Sequence, residues 1–324
     1  MKISAFLPHV GVFGGVRRFI ELGNAWTALG HEVTLFHPGG ESPGWLVFRG
    51  RVAPLAAATA GAADLALCAD PSTFDAFAAH DARAHLYYCV IEGDPGVARA
   101  TRDRRMMLAA NSGALRRALA SRTRRPVLDG AGGIDPAQFR PDPSRRAASP
   151  LRILLNGRRS RPKKGTDLIL RALRGLERDV PLEIVLFDSP GEHNRQDPRA
   201  GADLPAHARF VLGPTQEELA ALYQSAHLFV AAERKAGWCN TAIEAMATGV
   251  ATVCTRSGTG DFARDGENAL VVRIRHPFFL RRAVTRLLRD PALRERLAAA
   301  GPAEAARWTW TLLARKLLVQ LPGA

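Results

Sequence analysis

The first forty residues alternate strand, loop, helix and strand. "KISAFL" is a short apolar run and "HVGVFGG" a glycine-rich loop. Val16, Phe19, Ile20, Gly23, Trp26 and Leu29 then recur at helical spacing, Gly30 stops the helix, and "EVTLF" resumes as a strand. One strand–helix–strand unit of this kind commits its two strands to a parallel sheet. The alternation continues through "ADLALCA", "AHLYYCVI" and "RMMLAAN", while the stretch 40–80 cannot be fully assigned to elements.

A second run of the same rhythm follows "RPDPSRRAASP" (140–150), whose three prolines, three arginines and lack of apolar period read as a linker. Strand "LRILLNG" leads to helix "GTDLILRALRGL" and strand "PLEIVLFD", then a polar loop over 189–206 and strand "ARFVL". Helix "TQEELAALYQSA", strand "HLFVAA", helix "TAIEAMAT" and strand "VATVCT" complete the series. The expected fold class is α/β, with two doubly wound Rossmann-like domains over 1–146 and 147–306. The amphipathic tail "EAARWTWTLLARKLLVQL" supplies a helix over 307–324 that is expected to pack back on the first domain. In sheets of this kind ligands bind beyond the carboxyl ends of the strands, and two such edges facing each other form a cleft.

Composition narrows the class. Apolar content of 47% and charged content of 23% exclude a disordered chain. No stretch approaches the ~20 clean apolar residues of a membrane span. Pro8 and His9 interrupt the region where a signal peptide needs an unbroken apolar run, so a cytoplasmic location is expected. Cys68, Cys89, Cys239 and Cys254 are scattered without metal-ligand spacing and are expected as free thiols. Lys and Arg number 45 against 31 acids, a net charge of +14 that is densest over 99–107 and 116–125. Either these arginines form a solvated face, or they meet an anionic partner such as the inner face of a membrane. No aromatics interleave with them, so nucleic acid is not an expected partner.

Three loops at strand-to-helix junctions carry the candidate chemistry. Gly14 and Gly15 precede the first helix without Gly-x-Gly-x-x-Gly spacing, and the second strand ends in Phe36-His37-Pro38 with no acid for a ribose. What remains is a glycine pair at a helix start, where bare amides meet an anion or simply make a tight turn. In "NGRRSRPKKGTD" (156–167), Arg158, Arg159, Arg161, Lys163 and Lys164 crowd one loop with no acid before Asp167. Left unpaired, they are expected to face a polyanionic ligand. In "ERKAGWCNTAIEAMATG" (233–249), Thr241 and Glu244 have capping-box spacing, as do Thr215 and Glu218. The residues ahead of that cap, Ala236 to Asn240, form a loop whose amides surround a helix start.

"AGWCNTAIEAMATGVATVCT" and the following "SGTGDFARDGENALVV" resemble the hallmark region of the retaining glycosyltransferases of family 4, which have the GT-B fold. The usual pattern there is Glu-Gly-Phe-Gly, a few residues, then Glu-Ala-Met-Ala-x-Gly-x-Pro-Val-Val. "NGRRSRPKKGTDLILRAL" is similar to the family's Gly-Arg…Lys-Gly loop, and "GGVRRFIELGNAWTALGHEVTLF" to its N-terminal segment. The resemblance is strong over 151–275, moderate over 1–38 and 105–140, and poor over 39–85. It implies a nucleotide-sugar donor as substrate, a glycosyl acceptor, no cofactor and no metal. It assigns the donor diphosphate to Arg158 and Lys164 and the donor ribose to Glu244. Gly14 and Gly15 match the loop that closes on the phosphates; Gly237, Trp238, Cys239, Asn240 and Thr241 form the expected turn around the donor, with Trp238 and Cys239 replacing the more common Phe-Gly. Glu92 or His85, in "HLYYCVIEGDP" (85–95), is the acceptor-side candidate.

The chain departs from the pattern eight residues before Glu244, where Ala236 replaces the family's first glutamate. An unusual donor sugar, recruitment of Glu233, or lost activity follow as alternatives. A nucleotide-sugar-binding protein without catalysis, or an epimerase of the same architecture, are therefore the alternative functions.

Overall fold

The computed structural model describes residues 1–324 except 60, 147–148, 190–199 and 323–324. Packing divides the chain into two units: Met1–Gly133 together with Trp308–Ala324, and Ile134–Arg307.

The first unit runs β1 (Lys2–Phe6), α1 (Gly14–Ala28), β2 (Glu32–His37), β3 (Arg51–Pro54), β4 (Ala63–Cys68), α2 (Phe74–Ala79), β5 (Ala82–Cys89), α3 (Gly96–Arg102), β6 (Met106–Ala110), α4 (Gly113–Thr123) and β7 (Val127–Asp129). Its seven strands lie in the order β3-β2-β1-β4-β5-β6-β7, and every pair is parallel. Alternation along each strand sends side chains to two cores. Ile3, Leu65, Leu67, Leu86 and Tyr88 pack on Phe19, Ile20 and Trp26 of α1. Phe6, Ala66, Cys68 and Tyr87 pack on Phe74, Phe77, Val97 and Leu115 of the opposite helices. The stretch left open by sequence holds β3, on the sheet's edge, and a loop secured by Trp45 Nε1 donating to Val10 O at 2.8 Å.

The second unit runs β8 (Leu151–Asn156), α5 (Thr166–Leu173), β9 (Leu182–Asp188), β10 (Ala208–Leu212), α6 (Gln216–Ser225), β11 (Leu228–Ala231), α7 (Asn240–Ala247), β12 (Ala251–Thr255), β13 (Leu270–Val272), α8 (Pro277–Arg289) and α9 (Pro291–Ala305). Its strand order is β10-β9-β8-β11-β12-β13, again all parallel. Ile153, Leu155, Ile184, Val230 and Val253 bury one face against Ile169, Leu173, Leu280, Val284, Leu293 and Leu297. Residues 134–146 pack with this unit, not the first. Gln224 Nε2 donates to Arg140 O at 2.9 Å, and the Phe139 ring meets Tyr223 edge-on at 5.9 Å. The polar loop expected over 189–206 lies largely outside the described residues, as do positions 147–148 of the linker.

The tail is not one helix. α9 ends at Ala305, a short turn spans Ala306–Trp308, and Thr309 caps α10 (Trp310–Leu318) by accepting from Leu312 N at 3.2 Å. Trp310, Leu313 and Leu317 join the α1 core of the first unit, and Trp26 Nε1 donates to Ala314 O at 3.1 Å.

Candidate active site

Because β8 and β11 are parallel neighbours, the loops that follow them leave the same edge of the sheet side by side. Their backbones are in contact. Arg234 N donates to Lys163 O at 2.9 Å. Gly165, at φ +81°, lies so close that an added Cβ would stand 2.3 Å from Ala232 O, so only glycine closes this turn. Arg275 ties both loops, its Nε donating to Ala232 O at 2.7 Å and its side chain to Pro162 O at 3.0 Å.

The basic loop is not the unpaired crowd expected from sequence. Arg158 is held edge-on by Asp188, with Nε 3.1 Å from Oδ2 and a terminal nitrogen 3.0 Å from Oδ1. The same nitrogen donates to Ser189 O at 2.7 Å. Its other terminal nitrogen has no hydrogen bond among the described residues and is the edge left for a ligand. Arg159 pairs with Asp167 at 2.7 Å. Lys164 Nζ donates to Glu233 Oε1 at 2.8 Å. Burial alone would lower the Lys164 ammonium, but the adjacent Glu233 carboxylate outweighs it and the pKa is raised.

The Glu233 loop is stapled to the end of β12 and the segment after it. Thr255 Oγ1 donates to Glu233 O at 2.8 Å, Ala236 N to Ser257 Oγ at 2.9 Å and Cys239 N to Gly258 O at 2.8 Å. Lys235 turns the chain at φ +63°, a left-handed conformation uncommon outside glycine. That turn leaves the Glu233 carboxylate on Lys164, while Ala236 has only a methyl. Gly237, Trp238 and Cys239 are buried, the indole 4.9 Å from the Phe262 ring. Burial first, then the Glu233 charge, pushes the Cys239 thiol up, which makes it an inert packing group.

Two expectations at this helix are corrected. Cys239, not Thr241, occupies the N-cap of α7, without a side-chain cap, so the Thr241–Glu244 capping box does not form. Thr215 and Glu218 do form one on α6. The Gly258 carbonyl accepts from Cys239 N at 2.8 Å, and the helix starts two residues earlier than the Thr241 cap would set it. Glu244 lies in the interior, 3% exposed, its Oε2 accepting from Tyr223 Oη at 3.0 Å. The amides of Asn240 and Thr241 make no hydrogen bond among the described residues, and Asn240 Oδ1 is buried without a partner there. The helix start is therefore an open set of donors beside Lys164 and Glu233.

In the first unit, Gly14 and Gly15 open α1 behind Phe13, which provides no side-chain cap. A Cβ at Gly15 would meet nothing nearer than 3.6 Å, so packing does not demand glycine there. His85 is corrected: it sits mid-strand in β5, buried against Phe77, with Nε2 3.0 Å from His80 O, and does not reach the carboxyl edge. Burial lowers its pKa. Glu92 is exposed on the loop after β5. The buried acid there is Asp94, which accepts from Tyr87 Oη at 3.0 Å and from Gly96 N at 2.9 Å. Much of the basic stretch 99–125 is used locally: Arg99 pairs with Asp75, Arg105 with Asp103, and Arg125 donates to carbonyls at the end of α3. Sequence reasoning missed Asp188, although an acid closing the apolar run "LEIVLFD" was a legible signal. It also missed Tyr223, Ser257 and Arg275, which no local pattern marks. Among the described residues no group of three or more His, Cys, Asp or Glu is placed to hold a metal ion, and no helix is long and apolar enough to cross a membrane.

The profile of the glycosyl transferases group 1 family matches residues 142–304. The chain is 32% identical over 206 residues to the D-inositol 3-phosphate glycosyltransferase of Frankia alni, spanning 58% of this chain and 51% of that protein. It is 31% identical over 209 residues to the GDP-mannose-dependent alpha-(1-6)-phosphatidylinositol monomannoside mannosyltransferase of Mycolicibacterium smegmatis, spanning 59% and 55%. The matches thus span about half the length of these relatives. The solved structure of Anabaena HepE in complex with UDP and glucose superposes with a TM-score of 0.81 at 14% identity, covering 100% of both chains. Sucrose-phosphate synthase from Thermosynechococcus elongatus gives 0.79 at 17% identity, covering 98% and 97%. The two parallel sheets are those of the GT-B fold. The chain belongs to the glycosyl transferases group 1 family.

Proposed function

We propose that the protein transfers a sugar, with retention of configuration, from a nucleotide-diphosphate donor to a hydroxyl-bearing acceptor. The observation that carries this reading is the meeting of Lys164 with Glu233 at one sheet edge, beside the open start of α7. As the bond from sugar to phosphate breaks, negative charge grows on the departing diphosphate. Lys164, the unoccupied edge of Arg158 and the amides of Asn240 and Thr241 are already oriented to receive it. Asp188 is a positioning residue: by holding one edge of the Arg158 fork it aims the other. These groups supply positive charge from the chain itself, so the reaction needs no divalent ion in this account. Glu244 enters as a ribose contact on the family resemblance; Tyr223 fixes its carboxylate and, through it, α7.

Glu233 takes the place of the missing acid at Ala236. It neutralises Lys164 and turns to the donor sugar's hydroxyls once the diphosphate has claimed the lysine. The specific observation favouring a second reading is Ala236 itself: without that carboxylate the chain would bind a nucleotide sugar and turn none over. Turnover of a panel of UDP-, GDP-, TDP- and ADP-sugars, with the product anomer read by NMR and a chelator arm, separates the two. Retained configuration with activity surviving chelation is expected. Inversion would contradict the mechanism, and loss on chelation reversed by Mg²⁺ would contradict its metal independence. Nucleotide binding with no transfer from any donor would establish the second reading.

A further inference from the structure

The second unit has a pocket of about 400 Å³ on the opposite edge of its sheet, lined in part by Pro141, Arg146, His227, Gly249, Arg294 and Ala298. His227 immediately precedes β11, and Gly249 lies between α7 and β12, so the pocket opens at the amino ends of the strands. The loops of the candidate active site leave the carboxyl ends.

Two guanidinium groups converge there without a carboxylate on either. Arg146 donates to Gly249 O at 3.1 Å, and its Nε is buried with no hydrogen-bond partner among the described residues. Arg294 donates to Leu287 O at 2.8 Å. Neither forms an ion pair among the described residues. Burial, then the neighbouring Arg294 charge, lowers the Arg146 pKa. Holding two like charges together in a recess is unfavourable unless an anion completes it, and paired guanidinium forks match phosphate oxygens.

The rest of the wall is not cationic. Pro302 sits inside α9 and has no N–H to give the Ala298 carbonyl, which is left as an acceptor at the pocket wall. Glu295 adds a second acceptor on the rim. Acceptors next to an anion-binding pair suit a ligand carrying hydroxyls beside its phosphate. We propose that this pocket binds a phosphorylated sugar or polyol, its phosphate held by Arg146 and Arg294 and its hydroxyls by the Ala298 and Glu295 oxygens.

The test is calorimetric titration of the full chain with a hexose 6-phosphate, inorganic phosphate and free hexose at matched ionic strength. Hexose phosphate is expected to bind more tightly than either part. Arg146→Ala and Arg294→Ala should each weaken it by about tenfold or more, the effect of losing a hydrogen bond to a charged group. Ala299→Trp fills the pocket from its exposed rim without disturbing the interior, and is expected to abolish binding. Lys164→Ala should leave it unchanged. Unaltered affinity in Arg294→Ala and Ala299→Trp, or loss in Lys164→Ala, would overturn the proposal. Equal affinity for inorganic phosphate would overturn the polyol part.

Discussion

Lys164 Nζ and Glu233 Oε1 lie 2.8 Å apart although 69 residues separate them along the chain. The sheet order brings them together: β8 and β11 are neighbours, and each residue stands in the loop that leaves its strand. The pair places a carboxylate where a diphosphate is expected to sit, so the two compete for one ammonium.

Competition predicts opposite effects on binding and turnover. Glu233→Gln should tighten the nucleoside diphosphate by about tenfold, since one unit of opposing charge near a surface-level site is worth ~1 kcal/mol or more. The same variant should lower kcat with the nucleotide sugar, because the acid assigned to the sugar hydroxyls is gone. Isothermal titration and steady-state kinetics read the two effects separately. Equal affinity in both proteins would mean that Glu233 does not oppose the ligand.

The pair also sets an alkaline limit. The folded-state pKa of Lys164 is raised, so its contribution to stability is fully present below the unfolded lysine value of ~10.4 and is lost as pH rises through the higher folded value. Melting temperatures of the parent chain and Glu233→Gln should therefore differ by a constant amount from pH 7 to about 10 and converge above it. A difference that vanishes already between pH 7 and 8 would contradict the raised value.

Asp188 is 2% exposed and holds an Arg158 side chain that is 14% exposed. Removing one partner of such a pair leaves the other uncompensated, at a cost of about 3 kcal/mol. Asp188→Ala should therefore lower the melting temperature by several degrees and weaken diphosphate binding as the fork loses its aim. Arg158→Lys keeps the charge and loses the fork, and should lower kcat/KM by about tenfold or more while melting near the parent. Parent-like activity in that variant would show that the planar donor edge is not used.

Gly258 stands at φ +74°, and a Cβ there would lie 2.9 Å from both Ala236 Cβ and Cys239 N. Gly258→Ala combines backbone strain with that clash, costing about 1–3 kcal/mol. Because Gly258 O also positions the start of α7, donor affinity should fall with stability. A variant that melts lower but binds nucleotide normally would separate the staple from the site.

The strands and most helices were legible because each is a local pattern. Fully apolar runs such as Leu228–Ala231 mark strands buried on both faces, and the α1 periodicity survives nearly unchanged in the fold. Partnerships were not legible. Asp188, Asp167 and Glu233 each neutralise a cation of the 156–167 loop, and two of the three reach it across the sheet. The failed capping box at Thr241 has the same origin, since a carbonyl from Gly258 decides where α7 begins. His85 looked like an edge residue because "HLYYCVI" gives the strand but not its register; pairing with Ala66 and Met106 sets it well inside the sheet. The tail broke at Thr309 because a capping threonine outweighed a continuous amphipathic stripe.

Calorimetric titration with UDP, GDP, TDP and ADP, on the parent chain and on Lys164→Ala, bears most directly on the site. One of the four should bind the parent, and its affinity should fall by at least about tenfold when the ammonium is removed, with the fold intact by circular dichroism. A nucleotide held equally well by both proteins, or none held by either, would contradict the assignment of this sheet edge to a pyrophosphate.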